Sequence, residues 1–228
     1  MRLRGGCAGG NGRGGNDAAH YNASADTIEA PTTLHIEYPA TYKDAPAAYK
    51  PVLDDLYKYE KSLRGGVSHW EIFNNLEWPL FGEPSSADLG YAVKDINDDG
   101  VPELLLGYNN FDRPVILSLF TLKENTPVNL EFFWSRHIGS LAVDGTIYIS
   151  SSKAALSRQL LSYELEPNAT SLSLLTEYTR DFSGSEDVFF EGADGERQVI
   201  TEEEYNALHE QYSNPPNHMP LTFIPIEQ

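Results

Sequence analysis

The chain is poor in cysteine, in positive charge and in long apolar runs. One cysteine, Cys7, occurs in 228 residues, so no disulfide can close within the chain. Sixteen Lys and Arg stand against 34 Asp and Glu, giving a formal net charge of −18 and a sequence pI of about 4.6. Nucleic acid and anionic lipid are bound by Lys and Arg that displace counterions, so this balance argues against both as partners. No apolar stretch approaches the roughly 20 residues that a membrane-spanning helix needs. Neither Gly-x-Ser-x-Gly nor His-Glu-x-x-His occurs, so neither of these nucleophile and zinc signatures is written locally. The histidines His69, His137, His209 and His218 are scattered without ligand spacing, and His20 and His35 lie in or near a segment with few apolar residues.

One stretch has a spacing that calls for a specific chemistry. Residues 95–103 read Asp-Ile-Asn-Asp-Asp-Gly-Val-Pro-Glu. Oxygen groups at the first, third and fifth places (Asp95, Asn97, Asp99), followed by Gly100 at the sixth, suit a backbone that turns sharply around a hard cation. The carbonyl of Val101 and the carboxylate of Glu103 complete the expected shell. Asp95, Asp98, Asp99 and Glu103 repel one another with only Lys94 adjacent, and a cation relieves that repulsion. Several acids in one loop favour Ca²⁺ over Mg²⁺, which keeps its waters. The competing reading is a solvated Asp/Asn/Gly turn between strands. An EF-hand is excluded, because its twelfth place requires a bidentate Glu and holds Leu106 here. The flanks, Leu89-Gly-Tyr-Ala-Val and Pro102-Glu-Leu-Leu-Leu-Gly-Tyr, are short apolar runs of strand character, which places the loop at a hairpin tip. In this it resembles the Asp-x-Asp-x-Asp-Gly-x-x-Asp loops of integrin-type propeller blades, although one copy does not make a propeller.

Residues 1–35 are rich in Gly, Asn and Ala and are expected to form a disordered tether; residues 36–228 are expected to form a single globular β-rich domain. Cys7, followed by Ala-Gly-Gly-Asn-Gly, has the look of a lipidated cysteine at the start of a mature lipoprotein. The preceding Arg2-Leu-Arg-Gly-Gly supplies no hydrophobic segment and no complete export signal. Cys7 is therefore either a lipid anchor or incidental.

Helical spacing predicts a helix over about Ala47–Leu63, with Pro51 in its first turn and Tyr49, Val52, Leu53, Leu56, Tyr57 and Leu63 recurring. A short helix is predicted at Ser68–Leu76. Hairpins are predicted around 95–103, around Lys123–Pro127, at Asp144-Gly145, at Pro167-Asn168 and at Asp194-Gly195. Thr201 and Glu204 form a capping box for a helix reaching about Tyr212, and Leu221–Ile226 reads as a last strand. The fold class is α+β, mainly β: an antiparallel meander of hairpins with an N-terminal helical segment and a late C-terminal helix.

This order of parts, from the Gly-rich segment behind Cys7 through the 95–103 loop to Asp-Gly-Thr-Ile-Tyr and Ile-Thr-Glu-Glu-Glu-Tyr, resembles a group of uncharacterised secreted lipoproteins of Gram-positive bacteria. Those proteins carry a single Asp-x-Asn-x-Asp-Gly-x-x-Glu calcium-type loop. The likeness spans about Tyr49 to the C-terminus and is distinctive only in the loop. It implies an extracellular or surface-attached setting and no particular activity.

Two functional readings follow. The first is a calcium-stabilised surface module that binds a glycan, a peptide or another envelope protein. Trp78 and Phe81, in an irregular loop held open by Pro79, are its candidate contacts, although aromatics in β-rich domains commonly serve the core. The second is an extracellular hydrolase directed at glycan or peptide, with an acidic active site drawn from distant carboxylates such as Glu71 and Asp112.

Overall fold

The structure, a computed structural model, describes residues 36–65, 89–110, 113–154, 156–192, 196–213 and 217–227. All of them fall in one compact unit, Ile36–Gln228. The predicted helix at Ser68–Leu76 and the Asp194-Gly195 turn lie outside the described residues.

Helix α1 (Lys50–Gly65) continues a 3-10 turn at Ala47–Tyr49. Pro51 sits in its first turn, where no intrahelical bond needs its missing N–H. Tyr49, Val52, Leu53, Leu56 and Tyr59 are buried in steps of three and four, forming one stripe. Tyr57, predicted to face inward, lies to the side of that stripe and is half-buried; Tyr59 takes the core position.

The described strands are β1 (Leu89–Lys94), β2 (Glu103–Asn109), β3 (Pro114–Lys123), β4 (Thr126–Phe132), β5 (His137–Leu141), β6 (Ile147–Ala154), β7 (Ser157–Glu164), β8 (Ser173–Asp181), β9 (Val188–Glu191) and β10 (Gln198–Ile200). Helix α2 (Glu202–Ser213) and the two-residue β11 (Ile224–Pro225) follow. They form two antiparallel sheets, one ordered β11-β1-β2-β3-β4 and the other β10-β9-β8-β7-β6-β5. The predicted α+β, mainly β meander is thus the observed fold, split into two sheets.

Leu104 and Leu106 of β2 pack with α1, whereas Leu105 between them joins Ile147, Ile149 and Leu161 of the second sheet. Alternate side chains of a strand point to opposite faces, so the unbroken Leu run means that β2 is covered on both sides. Leu160 and Leu161 divide in the same way, Leu160 packing with Tyr205 and Tyr212 of α2. The layers run α1, first sheet, second sheet, α2. Glu124 and Asn125 have φ of 50° and 61° between paired Lys123 and Thr126, the backbone of a two-residue hairpin turn. Thr201 and Glu204 close the predicted capping box, each backbone N–H donating to the other's side chain at 2.8 and 3.2 Å.

The last strand is shorter than predicted. The Phe223 N–H donates to Asn109 Oδ1 at 3.0 Å, and its carbonyl accepts from Asn109 Nδ2 at 2.9 Å. A side chain thus takes the bonds that a longer ladder would use, and Pro225 has no N–H to extend it.

Candidate metal loop

Antiparallel pairing of β1 with β2 places Lys94 opposite Glu103, so residues 95–102 form the hairpin connection. Asp98 (φ 57°) and Gly100 (φ 85°) adopt the left-handed region, which turns the backbone back on itself. Around that turn the loop's own side chains receive its amides. The Gly100 N–H donates to Asp95 Oδ2 at 2.9 Å, the Val101 N–H to Asp99 Oδ1 at 2.8 Å, and the Asp99 N–H to Asn97 Oδ1 at 3.3 Å. Asp95 Oδ1 is buried and has no hydrogen-bond partner among the described residues.

Glu103, the ninth residue, is wholly buried. Its Oε2 accepts the Ile96 N–H at 3.0 Å and its Oε1 accepts the Thr121 hydroxyl at 3.0 Å. Burial pushes its carboxyl above the ordinary value; the two hydrogen bonds oppose that shift, and the Asp99 and Asp95 charges add to it. For Asp99, burial also raises the carboxyl, but hydrogen bonds from Asn168, Val101 and Asn97 outweigh it and the net shift is downward. Among the described residues, no three Asp, Glu, His or Cys side chains gather as a metal site. The carboxylate of Glu103 is turned to Ile96 and Thr121.

The loop is not a free hairpin tip. Asn97 Nδ2 donates to the Glu166 carbonyl at 3.3 Å, and the Asn168 N–H donates to Asp99 Oδ2 at 2.8 Å, both in the turn between β7 and β8. Asn168 is itself left-handed, with φ of 62°. On the other flank, a Cβ built on Gly145, in the turn between β5 and β6, would overlap the Ile96 carbonyl oxygen. A loop of the first sheet is thereby held between two turns of the second. From below, the Tyr49 hydroxyl donates to the Pro102 carbonyl at 2.9 Å, linking the start of α1 to the same loop.

Of the predicted residues, Asp95, Asn97, Asp99, Val101 and Glu103 are therefore together in one loop. Cys7, Trp78 and Phe81 lie outside the described residues, as do Glu71 and Asp112. Thr121 and Glu166 were not singled out by the sequence, and Asn168 and Gly145 stood out only as turn residues, not as partners of this loop. Only Thr121 had an accessible signal: once β2 and β3 pair with Leu104 opposite Phe120, the next position brings Thr121 beside Glu103. No protein-family model matches the chain, and neither a curated protein nor a solved structure does.

Proposed function

We propose that the chain is an extracytoplasmic surface or binding module whose two sheets are clasped by a calcium ion in the 95–103 loop. The observation that carries the reading is the Asp95 carboxylate: Oδ2 is fixed by the Gly100 amide, while Oδ1 is buried without a partner. A buried unpaired carboxylate oxygen is costly, and a cation removes that cost. Asp95, Asn97, Asp99 and the Val101 carbonyl would hold the ion, with waters completing the six to eight oxygens that Ca²⁺ takes. Glu103 lies beneath as a fixed counter-charge. When bound, the ion supplies charge neutralisation and no reaction chemistry.

A clasp of this kind suits the outside of a cell, where free calcium is high enough to fill a site of modest affinity, on the order of 10⁻⁴ M. The partner in this reading is a glycan, a peptide or another envelope protein, and Cys7 is the attachment point if it carries lipid. The hydrolase reading has less behind it. Glu103, the carboxyl that burial raises, is wholly buried and lines neither of two described clefts, which among the described residues are lined without Asp or Glu.

Calorimetric titration of Ca²⁺ and of Mg²⁺ into EDTA-stripped protein tests the site directly. One calcium per chain with Kd on the order of 10⁻⁴ M, weaker binding of Mg²⁺ and loss in Asp95→Ala are expected. A chain that takes up neither ion returns the loop to an ordinary turn.

A further inference from the structure

On the outer face of the second sheet, α2 packs through Tyr205 and Tyr212 on β7 and on β6, where Tyr212 meets Tyr148 edge-on at 4.9 Å, and a cleft opens beside the helix over β5 and the later residues of β6. The opening is a cleft of about 390 Å³, within the size range of small-molecule sites. Its floor is Ser140 of β5 and Ser150 and Ser152 of β6, and its side against the helix is His209 and Tyr212. Cross-strand pairing of Ile138 with Ser150 and of Ser150 with Leu160 sets these residues on the helix-covered face. The same alternation brings Arg158 of β7 to that face, two residues from Leu160. Arg136 enters from the turn between Trp134 and His137, and Arg113 from the segment before β3.

The charge of this lining departs from that of the chain. Acids outnumber bases 34 to 16 overall, yet among the described residues three arginines and no Asp or Glu line the cleft. Neither Arg136 nor Arg158 has an ion-pair partner among the described residues, whereas Arg180, opposite Arg158 on β8, is paired with Asp187. Arg136 is anchored through its backbone, since its carbonyl accepts the Ser152 N–H at 2.8 Å. The His218 imidazole, near Arg113, is lowered by burial and then by that guanidinium, a second sign of positive potential at this edge. A serine-lined sheet face alone would be an ordinary wetted surface. Guanidiniums gathered over hydroxyls in a strongly acidic molecule, with Arg136 and Arg158 in no ion pair among the described residues, are not, because repulsion from the rest of the chain opposes any anion that these groups do not hold locally.

We propose that this cleft binds the oxyanion of a small hydrophilic ligand, a carboxylate or a phosphate. Arg136 and Arg158 clamp the oxyanion, Arg113 adds positive charge, and the serine hydroxyls donate hydrogen bonds. Guanidinium forks match both anions in a bidentate way. The site is separate from the calcium loop and does not depend on it.

The test is titration of the full chain, in EDTA and at low ionic strength, with inorganic phosphate, with glucuronate and with glucose, followed by calorimetry or amide shifts. Working in EDTA makes the outcome independent of the loop. Saturable binding of phosphate or glucuronate in the millimolar range, none of glucose, and a loss of about tenfold or more in Arg136→Ala/Arg158→Ala are expected. Both arginines are exposed, so the double variant should unfold at the wild-type temperature. Whichever anion binds more tightly identifies the source of the oxyanion. Glucose binding equal to glucuronate, no saturable anion binding, or unchanged affinity in a folded double variant would each overturn the proposal.

Discussion

Glu103 is the residue on which the energetics of the loop turn, because its carboxyl is removed from water beside two other acids. Its folded-state value lies above the ordinary 4.5, so the folded chain holds this proton more tightly than the unfolded chain does. The resulting contribution to stability is full below about 4.5 and is lost as pH rises through the folded value. Asp99 has the opposite sign: its depressed value means that its contribution is present above 3.8 and is lost as pH falls through the folded value. Glu103→Gln keeps the shape, an acceptor for the Ile96 N–H and a polar group facing Thr121. Measured by urea unfolding in EDTA at pH 5 and pH 7, the variant should gain on the wild type as pH rises. Parallel behaviour of the two proteins would remove Glu103 from the account. The sequence reached this residue through its place in the loop. That it is buried depends on the sheet packed over it, which no local pattern records.

Between elements, the important contact is the seating of the 95–103 loop on the turns of the second sheet. Gly145 and Gly100 share a φ of 85° but differ in surroundings: a Cβ at Gly100 meets nothing within 4 Å, whereas one at Gly145 overlaps the Ile96 carbonyl. Gly100→Ala should cost only the left-handed strain, about 1–2 kcal/mol. Gly145→Ala should cost more than that and also weaken calcium binding, since it pushes the loop off its seat; denaturation midpoints with and without Ca²⁺ compare the two. Equal costs would mean that the turn yields without disturbing the loop. Most elements were legible because their signals are local: the Thr201–Glu204 box, the Pro51 first turn, and turn residues at Asn125, Gly145 and Asn168. The turn that joins β6 to β7 was not legible, because Ser150-Ser-Ser-Lys-Ala-Ala-Leu-Ser contains none of the Gly, Pro, Asn or Asp that marks a hairpin. Tyr57 and Tyr59 both fall near helical spacing, and only the position of the first sheet makes Tyr59 the more deeply buried of the two.

For the molecule as a whole, a net charge of −18 sets the terms. Self-repulsion loosens the compact state, and the loop concentrates part of it where two sheets meet. The candidate loop could be read from nine consecutive residues. Its docking could not, since Asp99 meets Asn168 across 69 positions, and the arginine cleft draws its charges from three separate segments. The sheets that gather both were foreseen only as a meander, without the division into two layers that creates a seam for the loop to bridge. The central claim is that calcium stabilises this seam through the loop. Thermal unfolding of the purified chain in EDTA, in ~1 mM Ca²⁺ and in ~1 mM Mg²⁺, repeated on Asp99→Ala, tests it most directly. At ~10 times Kd the ion contributes about 1.4 kcal/mol, which predicts a rise of about 3–6 degrees with Ca²⁺ alone, absent in the variant. Equal unfolding temperatures in all three conditions, or a calcium response that survives in Asp99→Ala, would contradict it.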